Sequence, residues 1–224
     1  TATVRFPSAL DGSTSLCPVE LAFRDSSGDL ALQPYEDWTR GSAGRAEDLL
    51  ARLTPDQKLA LLAMPTGLDL VSPDAGLSAA MEAALDAGVR FGLTAANDAG
   101  LVTRATWANA IQARCEASAL GLPFVLASEP AHSEGAGRRR ARGFSRWPLE
   151  LGLAAAGDAG VVEGFGRVVA AEYRAIGVTL ALGLSADLAT EPRWPGVPFT
   201  FGEDAATVSS LGAALVRGLQ GGAT

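Results

Sequence analysis

Strand-length apolar runs that alternate with amphipathic helices, each helix closed by a glycine, constrain the fold of this chain more than any other feature. VRFGLT (89–94) follows the helical stretch LSAAMEAALDA (77–87) and Gly88; PFVLAS (123–128) follows TRATWANAIQARCEASAL (103–120) and Gly121. VTLALGL (178–184) follows DAGVVEGFGRVVAAEYRAI (158–176) and Gly177, and a further helix is expected over EDAATVSSLGAALVRGLQ (203–220). Glycine just past a helix supplies the left-handed residue that ends it. Continuous apolar runs of this length suit strands buried on both faces, and their alternation with helices requires a parallel sheet, either doubly wound or closed as a barrel. No GxGxxG opens a helix after a strand, and GAGRRRARG (135–143) is a poor substitute, so a dinucleotide fold has no support. The polar clusters sit directly after strand ends: SEPAHSEG after 123–128 and SADLATEPRW after 178–184. Chemistry at the C-terminal ends of several strands is the layout of a (β/α)8 barrel. The expected fold class is therefore α/β, the N-terminal part of a TIM-type barrel.

Residues 1–44 carry Pro7, Pro18, Pro34 and Gly/Ser-rich runs and are expected to form an irregular extension wrapped on the body that begins at Arg45. There RAEDLLARL has leucines at helical spacing, and Thr54-Pro55-Asp56-Gln57 offers an N-cap, a proline at the first helical position and a glutamine at the third. A net charge of −7 argues against a nucleic-acid partner, because phosphate affinity comes from clustered basic residues. The one basic cluster, Arg138, Arg139, Arg140, Arg142 and Arg146, is short and expected to be a solvated loop. Lys58 stands alone among 18 basic residues, a bias that points to a GC-rich bacterial source.

Cys17 and Cys115 lack metal-ligand spacing, and Cys115 falls on an apolar helical face, where a buried thiol is expected. No metal or cofactor site is expected. No apolar run is long enough for a membrane span. The chain opens on Thr1, which leaves both a cytoplasmic location and secretion after leader removal open.

The segment GFSRWPLELGLAAAGDAGVVEGFGRVVAAEYRAIGVTLALGLSADLATEPRW, followed by TFGED and VRGLQG, resembles the N-terminal domain of glycoside hydrolase family 3, whose best-known members are β-glucosidases. WP-x3-GLAA, EYRAIG, DLATEPRW and TFGED occur in the family's order and spacing. Weaker similarity extends upstream through WANAIQ, GLPFVLAS and LLARLTPDQK, so the resemblance runs from about residue 45 onward. It implies a (β/α)8-type barrel and retaining hydrolysis of terminal β-linked sugars, with one carboxylate as nucleophile and another as acid/base. It also implies that the nucleophile, and a Lys-His pair that contacts the sugar, lie beyond the strand expected after Gln220. No catalytic residue is therefore expected in this chain.

What the resemblance places here is part of a sugar cradle: Glu129, His132, Arg193, Trp194 and Gly196. Where the family has an aspartate that grips sugar hydroxyls, this chain has Glu129, whose carboxylate reaches about 1.5 Å further. Where the family has a second arginine after PRW, matching PRW and TFGED without a gap puts Gly196. Structural roles stand beside each of these. Glu129 and His132 could equally brace their loop, and Arg193 could be clamped by Asp187 or Glu191. Trp194 and Trp147 could stack on a sugar or pack locally. Glu203 and Asp204 are expected to cap the helix that they precede.

Two function classes follow: part of a β-glucosidase-like exo-glycosidase, or a non-catalytic relative or scaffold completed by another chain. A barrel takes about 250 residues and eight strand-helix units, against about four here. Exposed strand edges and apolar faces would otherwise aggregate, so the expected partner, besides a carbohydrate, is the remainder of the barrel, on the same polypeptide or a second chain.

Overall fold

A computed structural model describes residues 2–6, 19–65, 75–94, 99–128, 143–183 and 185–221. The N-terminal extension is not irregular throughout. β1 (Ala2–Phe6) pairs with β2 (Val19–Phe23) as an antiparallel ribbon, with Ala2 opposite Phe23 and Phe6 opposite Val19. The prolines and Gly/Ser runs that suggested irregularity fall outside these two five-residue stretches, ATVRF and VELAF, whose Val, Thr and Phe suit a pleated surface.

α1 (Ser42–Arg52) and α2 (Pro55–Leu61) meet at a reciprocal cap. The Thr54 hydroxyl accepts from the Gln57 amide at 3.2 Å, and the Gln57 side chain accepts from the Thr54 amide at 2.9 Å. Neither helix buries a residue within its span; Leu53, between them, is buried.

The repeating body follows. α3 (Ala79–Asp86) leads to β3 (Phe91–Thr94), α4 (Leu101–Glu116) to β4 (Val125–Ser128), and α5 (Glu150–Ala155) with α6 (Ala159–Ala175) to β5 (Leu180–Ala181). α7 (Ala205–Gln220) follows the β5 loop. The strands form one parallel sheet in the order β3-β4-β5, with Phe91 beside Val125 and Ala127 beside Leu180. Each crossover is helical, as parallel neighbours require. β5 is shorter than the seven-residue run suggests. Pairing extends one hydrogen bond each way, Thr179 N to Leu126 O at 3.0 Å and Leu182 N to Ser128 O at 2.9 Å.

Trp107, Ile111 and Cys115 of α4 meet Phe124 and Leu126 in a core shared with Val162, Phe165, Val169 and Tyr173 of α6 and Val208, Leu211 and Leu215 of α7. Burial of each large side chain contributes about 1.5–3 kcal/mol. Cys115 is buried as the helical pattern anticipates, and burial pushes its thiol pKa up. α6 and α7 approach closely because Gly166 faces Gly218. A Cβ on Gly218 would sit 2.2 Å from Glu163 O, and one on Gly166 2.7 Å from Leu215 O.

The glycine stops have positive φ, +98° at Gly88, +54° at Gly121 and +81° at Gly177. Gly121 has a second reason to be glycine, since the 24–36 segment crosses it and a Cβ there would lie 2.4 Å from Ser26 O. Arg90 ties the strand entrances together. Its buried guanidinium donates to the carbonyls of Leu85, Val89 and Leu122 and to Ser118 Oγ, at 2.8–3.2 Å. Every acceptor terminates α3, precedes β3 or belongs to the turn before β4.

Candidate functional site

Residues 182–204 leave β5 at its C-terminal end and return to α7, so this loop stands where a barrel places its chemistry. Two contacts close its base. Ser185 and Thr200 form a parallel bridge, and Ala189 N donates to Gly202 O at 3.0 Å. Thr200 is fully buried; its hydroxyl donates to Val197 O at 2.9 Å and accepts from Gly202 N at 3.2 Å. That residue fixes the return path of the loop, and sequence reasoning did not single it out. Its signal is only the β-branched residue in TFGED. Asp204 caps α7 as expected, accepting from the Thr207 amide at 2.8 Å and hydroxyl at 2.7 Å, contacts that hold its carboxyl below the usual range.

Inside the loop, Glu191 organises a tight turn. Its Oε1 accepts from the Arg193 amide and from Arg193 Nε, and its Oε2 from Arg193 Nη2, each at 2.8 Å. These side-chain and backbone bonds hold the Glu191 pKa at about 2. Of the two acids weighed as partners for Arg193, the structure selects Glu191. Asp187 instead accepts from Ser185 Oγ. The pair is open to water, with the Arg193 side chain 88% exposed, so its contribution to stability is screened and its value lies in shaping the loop. One edge of the guanidinium, Nε with one hydrogen of Nη2, is committed to Glu191, which leaves both hydrogens of Nη1 and the second of Nη2 for other acceptors.

Trp194 N donates to Glu191 O at 3.0 Å, and a single 3₁₀ turn, Val197–Phe199, follows Gly196. The indole of Trp194 folds back over Gly196. A Cβ at residue 196 would lie 2.4 Å from the ring, and yet the tryptophan is 37% exposed. The space that an arginine side chain would leave from at this position is thus filled by the neighbouring indole, and one arrangement displaces the other.

Glu129 and His132, together with Arg138, Arg139, Arg140 and Arg142, lie outside the described residues. Ser128, the last residue of β4, is buried at the strand end that leads to them. Trp147 packs locally. Its ring lies 5.2 Å from Phe165, its Nε1 donates to Ser145 Oγ at 3.1 Å, and Ser145 in turn is held by Glu172 of α6. Among the described residues no group of three or more His, Cys, Asp or Glu side chains is placed to hold a metal ion, and no helix is long and apolar enough to cross a membrane.

The family model described as "Glycosyl hydrolase family 3 N terminal domain" matches residues 86–223. A periplasmic β-glucosidase/β-xylosidase from Dickeya chrysanthemi is 38% identical over 210 residues, which cover 90% of this chain and 32% of that protein. A probable β-glucosidase C from Aspergillus flavus is 34% identical over 209 residues, again 90% of this chain and 32% of the relative. Among solved structures, a β-glucosidase from Erythrobacter marinus superposes with a TM-score of 0.71 at 28% identity, covering 84% of this chain and 24% of that one. A glycoside hydrolase family 3 β-N-acetylglucosaminidase from Paenibacillus gives 0.62 at 27% identity, covering 75% and 31%. The chain spans about a third of the length of the curated relatives it matches.

Proposed function

The chain belongs to glycosyl hydrolase family 3, with the α/β fold of the first part of a (β/α)8-type barrel, and on that premise we propose that it is part of a retaining β-glucosidase-like exo-glycosidase. The observation that carries this reading is the match over residues 86–223, which includes the whole loop from β5 to α7. In the proposal, residues 1–44 are an extension and 45–224 the first part of the barrel domain, completed by the remainder of the barrel. A terminal β-linked sugar sits at the C-terminal strand ends. Glu129 and His132 reach it from the β4 loop, and Arg193, Trp194 and Gly196 from the β5 loop, while the nucleophile and the acid/base come from outside these residues.

The chemistry needs two carboxylates across the glycosidic bond, one to attack the anomeric carbon and one to protonate the departing oxygen. This chain's part is to bind and orient. The Trp194 indole offers an apolar face to a sugar ring, and Glu129 offers charged acceptors to its hydroxyls. The periplasmic location in the name of the Dickeya relative supports secretion after leader removal over a cytoplasmic location.

A second reading, a non-catalytic relative or a scaffold subunit, draws on the commitment of Arg193 to Glu191 and on the glycine at residue 196. The two readings part on the full-length gene product, which in the first hydrolyses aryl β-glucosides and in the second does not. In the first, Glu129→Gln weakens binding of a glucose-like inhibitor about 5- to 30-fold, since a charge-assisted hydrogen bond contributes about 1–2 kcal/mol more than a neutral one. Unchanged affinity in a calorimetric titration would remove Glu129 from the sugar site.

A further inference from the structure

At the other end of the strands, where β4 is entered, the 24–36 segment, α1 and the turn Leu120–Pro123 enclose a cleft of about 380 Å³. Its volume is in the range of small-molecule sites, which combine apolar walls with a few convergent polar groups. Leu49, Leu122 and Pro123 supply the apolar wall. Arg45 supplies the charge. It is half-buried, and its Nε donates to Tyr35 O at 2.9 Å. Among the described residues its two terminal nitrogens make no ion pair or hydrogen bond.

The acids nearby are already engaged. The Glu36 carboxylate is buried and accepts from the amides of Ser26 at 2.6 Å, Ser27 at 2.8 Å and Gln33 at 2.9 Å. Arg24, on the rim, is paired with Glu116. The Tyr35 hydroxyl donates to Leu120 O at 3.3 Å, and burial, reinforced by Glu36, pushes its pKa up to about 12, so it stays neutral. Among the described residues, the guanidinium end of Arg45 therefore lines the cleft with no ion-pair partner, while the Glu36 carboxylate on the same wall is held by backbone amides.

We propose that this cleft binds a small organic monocarboxylate with an apolar body, its carboxylate on the terminal nitrogens of Arg45 and its hydrocarbon against Leu49, Leu122 and Pro123. The planar fork of a guanidinium matches a carboxylate bidentately. With Arg24 paired to Glu116 and the negative charge of Glu36 on the same wall, the one guanidinium end without an ion-pair partner suits a single carboxylate and disfavours a phosphate dianion. The site is independent of the glycosidase reading.

The test is isothermal titration of the full-length gene product with hexanoate, with 1-hexanol as the neutral analogue. Hexanoate is expected to saturate one site at least about tenfold more tightly than hexanol, and Arg45→Gln to weaken it about tenfold or more, because hydrogen bonds to charged groups contribute about 1.5–3 kcal/mol. Ala46→Phe fills the cleft from an exposed helix position without removing a hydrogen bond, and is expected to abolish binding even if Arg45→Gln fails to fold. Saturating glucose is expected to leave the hexanoate isotherm unchanged. The proposal is overturned by no saturable binding, by hexanol matching hexanoate, by full affinity in either variant, or by displacement with glucose.

Discussion

Two helical pairs that carry apolar residues end in opposite situations. α6 buries Val162, Phe165, Gly166, Val169, Ala170 and Tyr173, and α7 buries Val208, Leu211, Gly212, Ala214, Leu215 and Gly218. α1 and α2 bury nothing along their spans, and Leu59 and Leu62 are 66% and 85% exposed. An apolar stripe announces that a face is to be covered and carries no information on what covers it. α6 and α7 find each other because glycines at residues 166 and 218 let the backbones touch. The first pair is held by the Thr54–Gln57 cap, the Arg52–Asp48 ion pair, Leu53 between the helices and polar contacts of α1 with residues 33–35, among them Tyr35 N to Asp48 and Arg45 Nε to Tyr35 O.

The largest expected effect breaks the well-packed pair. Gly218→Val places carbon atoms where Glu163 O now lies, so the helices must separate, at about 3 kcal/mol and a fall in melting temperature on the order of 10 °C. A melting curve that matches the parent protein would show that the close approach is not needed. A smaller and local effect is expected at the second pair. Thr54→Ala removes the cap, about 1 kcal/mol, and because α2 has little else to hold it, its amides should exchange about fivefold faster while the global melting temperature barely moves. Hydrogen exchange resolved by NMR separates this from a global loss, which would mean that α2 is part of the cooperative core. Smallest of all is Leu62→Gln, on the exposed end of α2, with stability within about 0.5 kcal/mol of the parent by urea titration. A clear loss there would show that a partner surface already covers α2.

The same contrast explains what could be read in advance. Helices with their caps and glycine stops were legible, down to Thr54 with Gln57 and to Asp204 as a cap, because each is decided by residues three apart or closer. The parallel order of the strands was legible from alternation. The β1–β2 ribbon was not, since its strands pair across twelve residues rich in turn formers. Arg90 was invisible because its acceptors are mostly backbone carbonyls, which have no sequence signature. In the β5 loop the pairing of Arg193 with an acid was one of two roles left open, beside sugar contact, and the choice of Glu191 over Asp187 was not legible. The indole over Gly196 depends on a turn of the backbone that composition does not encode. Glu129 and His132 rest on family resemblance alone.

The division of labour in the proposed enzyme, a sugar-binding surface on this chain and a nucleophile elsewhere, has one direct test. Retaining hydrolysis passes through a covalent glycosyl-enzyme intermediate, which a 2-deoxy-2-fluoro-β-glucoside with an activated leaving group traps on the nucleophile. Peptide mapping of the labelled full-length gene product is expected to place the sugar on an aspartate outside these 224 residues. A label on Asp187, Glu191 or any other carboxylate within them would contradict the account, and so would a protein that turns over the substrate without retaining its anomeric configuration.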